Sequence, residues 1–282
     1  MQAQRRTRNK LVFAMSTALD LLSVEQPRMS GINADDLVAC VRKAGDRPRL
    51  RDVRFVVWEG PLATVEVERL TCVDPVHTWM MMASRLALEE LVVLGDSMMR
   101  RDLRLRRAGL DDFESALQRF REWKAEYPAE RRLPRGFNNC VKALRLMRER
   151  TDSSMETRTR LTLMRYGLPC PEVNHAIQDP QTSRTLLLDM AFPQWRVAVE
   201  YDGRHHASQW LTDSNRRKRI EDAGWSYVQV TSLDLGAKDS EEALARRVAA
   251  RIADKSGHLL KISACRSIAR CADGRSFRYL PG

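Results

Sequence analysis

Between Leu187 and Asp202 the chain alternates in side-chain character on both sides of the segment Phe192-Pro193-Gln194-Trp195-Arg196, and this pattern restricts the possible fold more than any other stretch. A two-residue loop at Gln194-Trp195 pairs Asp189 with Glu200, Ala191 with Ala198 and Leu187 with Asp202. Strand side chains alternate faces, so Asp189, Glu200 and Asp202 share one face. Leu188, Met190, Phe192, Val197, Val199 and Tyr201 collect on the other, where they form a core surface. A slip of one residue would reverse the sorting, so the pattern itself sets the register. Opposed carboxylates, about 4.5–5.5 Å apart at Cβ, repel one another. Three arrangements relieve that repulsion: exposure to solvent, neutralisation by arginine, or a hard divalent cation such as Mg2+.

The elements around this hairpin indicate an α/β unit. A helix starts at Ser153, where Ser153-Ser154-Met155-Glu156 fits a capping box, with Glu156 reaching back to the Ser153 amide. Strands are expected at 172–178, 184–192, 196–202 and 225–231, with helices at 213–223 and 240–253. This mixed order implies a sheet covered by helices. His205 and His206 follow Asp202-Gly203 in a turn, where a histidine serves as ligand, general base or plain surface residue.

The preceding 150 residues read as a mainly helical α+β region. Helical spacing is expected from Leu11 to Leu22, and again from Asn33, as a cap, to about Lys43. Two strand-like runs follow at 53–58 and 64–73. Asp74-Pro75 carries the signature of a helix start, with Asp as N-cap and Pro in the first turn. The methionines at 80–82 read as core filling. Further helices are expected at 88–101, 110–127 and 134–150. Residues 100–150 hold 15 Lys and Arg against 8 Asp and Glu. That makes Arg100, Arg101, Arg104 and Arg107 candidates for backbone contacts with nucleic acid, or members of a solvated helical surface.

The formal net charge of +11 favours a polyanionic partner. No apolar run reaches the roughly 18–20 residues of a membrane span, and no signal-peptide pattern is evident, so a cytoplasmic protein is expected. Cys40, Cys72, Cys140, Cys170, Cys265 and Cys271 form no CxxC pair, which suggests reduced, structural thiols.

Glu156 on its helix, Asp189, and Val199-Glu200-Tyr201-Asp202-Gly203-Arg204-His205-His206 resemble the Vsr-like (very-short-patch-repair endonuclease) branch of the PD-(D/E)XK nuclease superfamily. The likeness extends through Asp213, Arg216, Gly224-Trp225 and the run 227–231, and takes in Arg165-Tyr166-Gly167-Leu168-Pro169 and Pro171-Glu172-Val173. It implies a restriction-endonuclease-like mixed sheet over residues 151–255, followed by a basic tail, 256–282. It also implies a metal-dependent endonuclease or nickase acting on DNA. Asp189, Glu200 and Asp202 would hold Mg2+, with Mn2+ as a substitute. Glu156 and His206 would assist catalysis, and Arg204, Arg216, Arg217 and Lys218 would hold the DNA. Asp202 stands where that superfamily places a catalytic lysine, and the cysteines assemble no structural zinc site of the Vsr kind. Upstream, Cys72-Val73-Asp74-Pro75-Val76-His77-Thr78-Trp79 and residues 88–101 are similar to abortive-infection antitoxin-like regulators. Those usually carry an N-terminal winged helix, and with roughly 50 residues before Val53 a full one is expected to be missing or reduced. This second likeness supports the rival expectation of a non-catalytic DNA-binding regulator that retains a nuclease fold; action on RNA is a third.

Overall fold

The computed structural model describes residues 10–28, 36–203 and 210–273. The chain divides into two units, one through Glu149 and one from Arg150 onward, and both are mixed α/β.

In the first unit, strands β1 (Val12–Phe13), β2 (Leu37–Val41), β3 (Val53–Val57), β4 (Thr64–Val67) and β5 (Leu70–Val73) form one sheet in the order β3-β2-β1-β5-β4. β1 runs antiparallel to β2 and parallel to β5. The helices are α1 (Met15–Leu21), α2 (Pro75–Met82), α3 (Leu88–Met98), α4 (Leu110–Glu126) and α5 (Phe137–Leu146). Asp74 caps α2 as its sequence indicates: the carboxylate accepts the His77 main-chain N–H at 2.7 Å, and Pro75 sits in the first turn. Met80, Met81 and Met82 are all buried, the core role expected of them, and so is Trp79.

Three expectations change here. Residues 11–22 are not one helix, because Val12 and Phe13 pair on both sides within the sheet and the helix begins only at Met15. The run towards Lys43 is a strand at Leu37–Val41, while its expected cap, Asn33, lies outside the described residues. A five-residue apolar run suits a buried strand as well as a buried helix, and pairing on both edges decides between them. Residues 64–73 are a hairpin rather than one strand. Glu68 and Arg69 both take positive φ (49° and 67°), and Val67 pairs with Leu70. The alternation of valine and glutamate runs up to this turn, and no Gly or Asn announces it.

The basic stretch after α3 is largely engaged within the unit. Arg100 bonds Glu25 at 3.1 Å, Arg106 bonds Glu149 at 2.6 Å, and Arg107 Nε donates to the Leu22 carbonyl. Arg104 remains exposed beside Asp102. All six cysteines are free. No helix among the described residues is long and apolar enough to cross a membrane.

In the second unit, α6 (Ser154–Arg165) precedes β6 (Glu172–Gln178), β7 (Thr185–Phe192) and β8 (Val197–Tyr201). Next come α7 (Trp210–Asp222), β9 (Ser226–Val230), α8 (Lys238–Ser256) and the short α9 (Ile268–Cys271). The sheet order is β6-β7-β8-β9, antiparallel except for the parallel pair β8-β9. Two clusters make up its core. Leu163 of α6 and Tyr166, its C-cap, pack with Leu244, Val248 and Ile252 of α8 against Met190, Phe192, Val197 and Val199. Ile220 of α7 packs with Ile177, Leu186, Leu188, Ala191 and Ala198. Helices therefore cover the sheet through two separate packing surfaces. Residues 260–265 of the C-terminal basic stretch lean on the first cluster, and Cys271 is buried.

Gly136 tests how tightly the first unit is built. It opens α5 with φ +89°, and a Cβ there would lie 2.6 Å from the Ala83 carbonyl. Gly136→Ala is expected to lower stability by about 1–3 kcal/mol, read as a lower urea midpoint. Gly45→Ala, where a Cβ meets nothing within 4 Å, is expected to stay within about 0.5 kcal/mol of wild type.

Candidate functional site

The acidic hairpin keeps the register its sequence pattern requires: Met190 faces Val199, Ala191 faces Ala198 and Phe192 faces Val197. The loop differs from the expected two-residue turn. Pro193–Trp195 form a 3-10 turn, and Arg196 closes it in the left-handed region (φ 49°). Leu188 also departs from expectation. It packs with Ala191 and Ala198 rather than with Met190. The regular alternation is interrupted opposite Asp189, where Asn174 on β6 takes φ 50° and the β6-β7 pairing skips one position.

Beyond Met190 and Val199 the β7-β8 ladder stops, although β7 stays paired to β6 back to Thr185 and β8 to β9 out to Tyr201. At that point side chains replace the main-chain ladder. The Asp189 N–H donates to Glu200 Oε1 at 3.0 Å, and the Tyr201 N–H donates to Asp189 Oδ2 at 3.0 Å. Each carboxylate thus satisfies an N–H of the opposite strand, as buried main-chain donors require. Arg216 of α7 closes the arrangement. Its Nε donates to Glu200 Oε2 at 2.7 Å and its Nη2 to the Leu187 carbonyl at 2.5 Å. Glu200 is 5% exposed.

The electrostatics follow from this crowding. Burial, then the Glu200 charge and then the Glu156 charge push the Asp189 carboxyl up to about 8; the Tyr201 N–H and Arg216 oppose them. Burial and the Glu200 charge also raise the Tyr227 phenol above its ordinary value.

Glu156 combines two roles. Ser153 is the N-cap of α6, its Oγ accepting the Glu156 N–H at 3.2 Å. The Glu156 carboxylate takes the Ser153 hydroxyl at 2.9 Å and the Asp152 N–H at 3.0 Å, one residue before the amide expected from the capping pattern. It is 6% exposed, and its charge adds to burial and Glu200 in raising the Asp189 carboxyl. Asp202 is placed differently: its Oδ2 accepts from Gln229 Nε2 at 2.7 Å on β9. The described residues therefore bring Asp189 and Glu200 together, with Glu156 beside them and Asp202 tied to the neighbouring strand. Among them, no group of three His, Cys, Asp or Glu side chains is arranged to hold a metal ion. Arg217 pairs with Glu221 at 3.0 Å and lies over the Tyr227 ring, and Lys218 is exposed. Arg204, His205 and His206 lie outside the described residues.

Gln229 and Tyr227 are neighbours of this site that the sequence did not single out. Both lie on β9, where Gln229 pairs with Glu200 and Tyr227 with Ala198. The alternation Tyr227-Val228-Gln229-Val230 carries the signal, since it separates them from the buried valines. Only the parallel register connects it to Glu200.

No family model matches the chain. It is similar to an uncharacterized protein of Mycobacterium tuberculosis strain CDC 1551 and to one of strain H37Rv, each 31% identical over 159 residues. The match covers 54% of this chain, and the chain spans about half the length (56%) of these curated relatives. No solved structure matches.

The raised Asp189 pKa has a consequence for stability. The folded state holds this proton more tightly than the unfolded chain, whose carboxyl titrates near 3.8. The contribution is therefore complete below about pH 4 and is lost as pH rises through about 8. Without divalent cation, the melting temperature is expected to fall across that window. Asp189→Asn should flatten the dependence; a variant that keeps the wild-type slope would assign it to another group.

Proposed function

We propose that the second unit is a divalent-metal-dependent nuclease domain that hydrolyses phosphodiester bonds in DNA, with Asp189 and Glu200 as the metal ligands. One observation supports this reading above the others. Two carboxylates adjoin where the β7-β8 ladder ends, and burial, then the Glu200 charge and then the Glu156 charge push Asp189 up to about 8. With both carboxylates ionised, Arg216 would balance only one of the two charges. Mg2+ commonly keeps several waters and takes only one or two protein carboxylates, so a two-carboxylate oxygen donor set suits it. A bound Mg2+ or Mn2+ would lower the pKa of a water and neutralise charge on the phosphate.

The chain's own residues prepare the site. The Tyr201 N–H orients Asp189, the Asp189 N–H orients Glu200, and Glu156 supplies negative charge from the start of α6. Arg217 and Lys218, exposed on α7, offer cations to a DNA backbone. The net charge of +11 suits such a partner.

A second reading has an observation of its own. Arg216 already neutralises Glu200, the arrangement expected if the fold were kept as a non-catalytic DNA-binding regulator. The distinction is experimental. On the nuclease reading, full-length protein nicks supercoiled plasmid with Mg2+ or Mn2+ and not with EDTA, and Asp189→Asn or Glu200→Gln loses the activity. Retarded DNA without nicking under any metal supports the regulator; cleavage of RNA alone redirects the substrate.

Glu156 separates capping from chemistry. Gln still accepts from Ser153 and Asp152 but carries no charge. Glu156→Gln is therefore expected to leave the melting temperature nearly unchanged and to reduce metal-dependent nicking. Ser153→Ala should cost about 0.5–2 kcal/mol of stability and spare nicking at low temperature. Full activity in Glu156→Gln would confine Glu156 to the cap.

A further inference from the structure

We infer that Arg216 is a built-in counter-cation which a divalent metal must displace from Glu200, so that metal binding at this site is a competition with the protein's own guanidinium. The inference rests on the reading of Asp189 and Glu200 as metal ligands, and it adds the element that sets their affinity.

The geometry points to a clasp across the break in the sheet. Arg216 Nε holds Glu200 of β8 at 2.7 Å, while its Nη2 holds the Leu187 carbonyl of β7 at 2.5 Å. One guanidinium therefore joins the two strands where their own ladder has ended. The two partners differ in burial: the Glu200 side chain is 6% exposed and that of Arg216 35% exposed. The carboxylate belongs to the interior, and the cation reaches it from the solvent side on a surface helix. A buried carboxylate needs a compensating charge. Arg216 supplies that charge to Glu200.

Glu200 Oε2 is the atom at issue. Its other oxygen, Oε1, is committed to the Asp189 N–H. Oε2 meets Arg216, whose side chain is part-exposed on the solvent side of the pair. A divalent cation seated against Asp189 and Glu200 carries twice the charge of the guanidinium and makes its neutralisation of Glu200 redundant. Arg216 is thus a positioning residue, holding Glu200 in place until the metal arrives.

The test uses the full-length chain with MgCl2 or MnCl2 alone, read by calorimetry and by the metal-induced change in melting temperature. Arg216→Ala is expected to bind either metal about tenfold more tightly than wild type. Its melting temperature should be lower without metal and should rise more on adding it. Arg216→Lys keeps the charge but loses the two-armed grip, so its affinity should fall between the two. It carries the test if the alanine variant does not fold without metal. Wild-type binding with equal or weaker affinity in the Arg216 variants overturns the inference and leaves the metal-site reading standing. No binding in wild type but binding in the variants supports the inference and removes the native protein from the metal-dependent class. No binding in any of them overturns both.

Discussion

The second unit depends on the exchange of main-chain hydrogen bonds for carboxylate hydrogen bonds between β7 and β8. Two strands that pair through Phe192, Ala191 and Met190 would ordinarily continue to pair. Instead, the N–H groups of Asp189 and Tyr201 are taken by the side chains of Glu200 and Asp189. The strands can part there because neither donor is left unsatisfied, and an unsatisfied buried donor costs about 1–3 kcal/mol. The parting brings two acidic groups together away from water, and every electrostatic feature of the site follows from that.

The rest of the unit is arranged to tolerate this placement. The Met190–Val199 surface is held by α6 and α8, and the Ala191–Ala198 surface by Ile220 of α7. The same docking of α7 that covers the small alanines carries Arg216 to Glu200, four residues before Ile220 and one helical turn away. Packing and charge compensation are supplied by one helix. Breaking the ion pair by removing only the arginine leaves a buried charge, which generally costs more than the intact pair contributes. Loss of stability on removing the arginine is therefore expected whether or not a metal binds there, and metal affinity is the measurement that separates a structural role from the proposed exchange.

Much of the site's framework was legible. The hairpin register could be read because Met190, Phe192, Val197 and Val199 had to face one core together, and only one pairing allows it. The caps at Asp74 and Ser153 could be read because each involves residues three apart in the chain. Leu188 could not be assigned correctly, because the interruption at Asp189 arises opposite Asn174, whose positive φ belongs to another strand. The strands at Val12–Phe13 and Leu37–Val41 were read as helical for a similar reason: each is short and apolar, and its partners lie elsewhere in the sequence.

The division follows the range of the interactions. Alternation, capping and turn chemistry act over a few residues, so the chain itself carried the acidic hairpin, the cap that holds Glu156 and the mixed α/β class. Which groups compensate those carboxylates was settled only by folding, through the parallel alignment of β8 with β9 and the docking of α7. Those contacts place Gln229 on Asp202 and Arg216 on Glu200. They join residues 16 to 27 positions apart across a sheet edge or a helix face, and no local pattern encodes the partner of a charge at that distance.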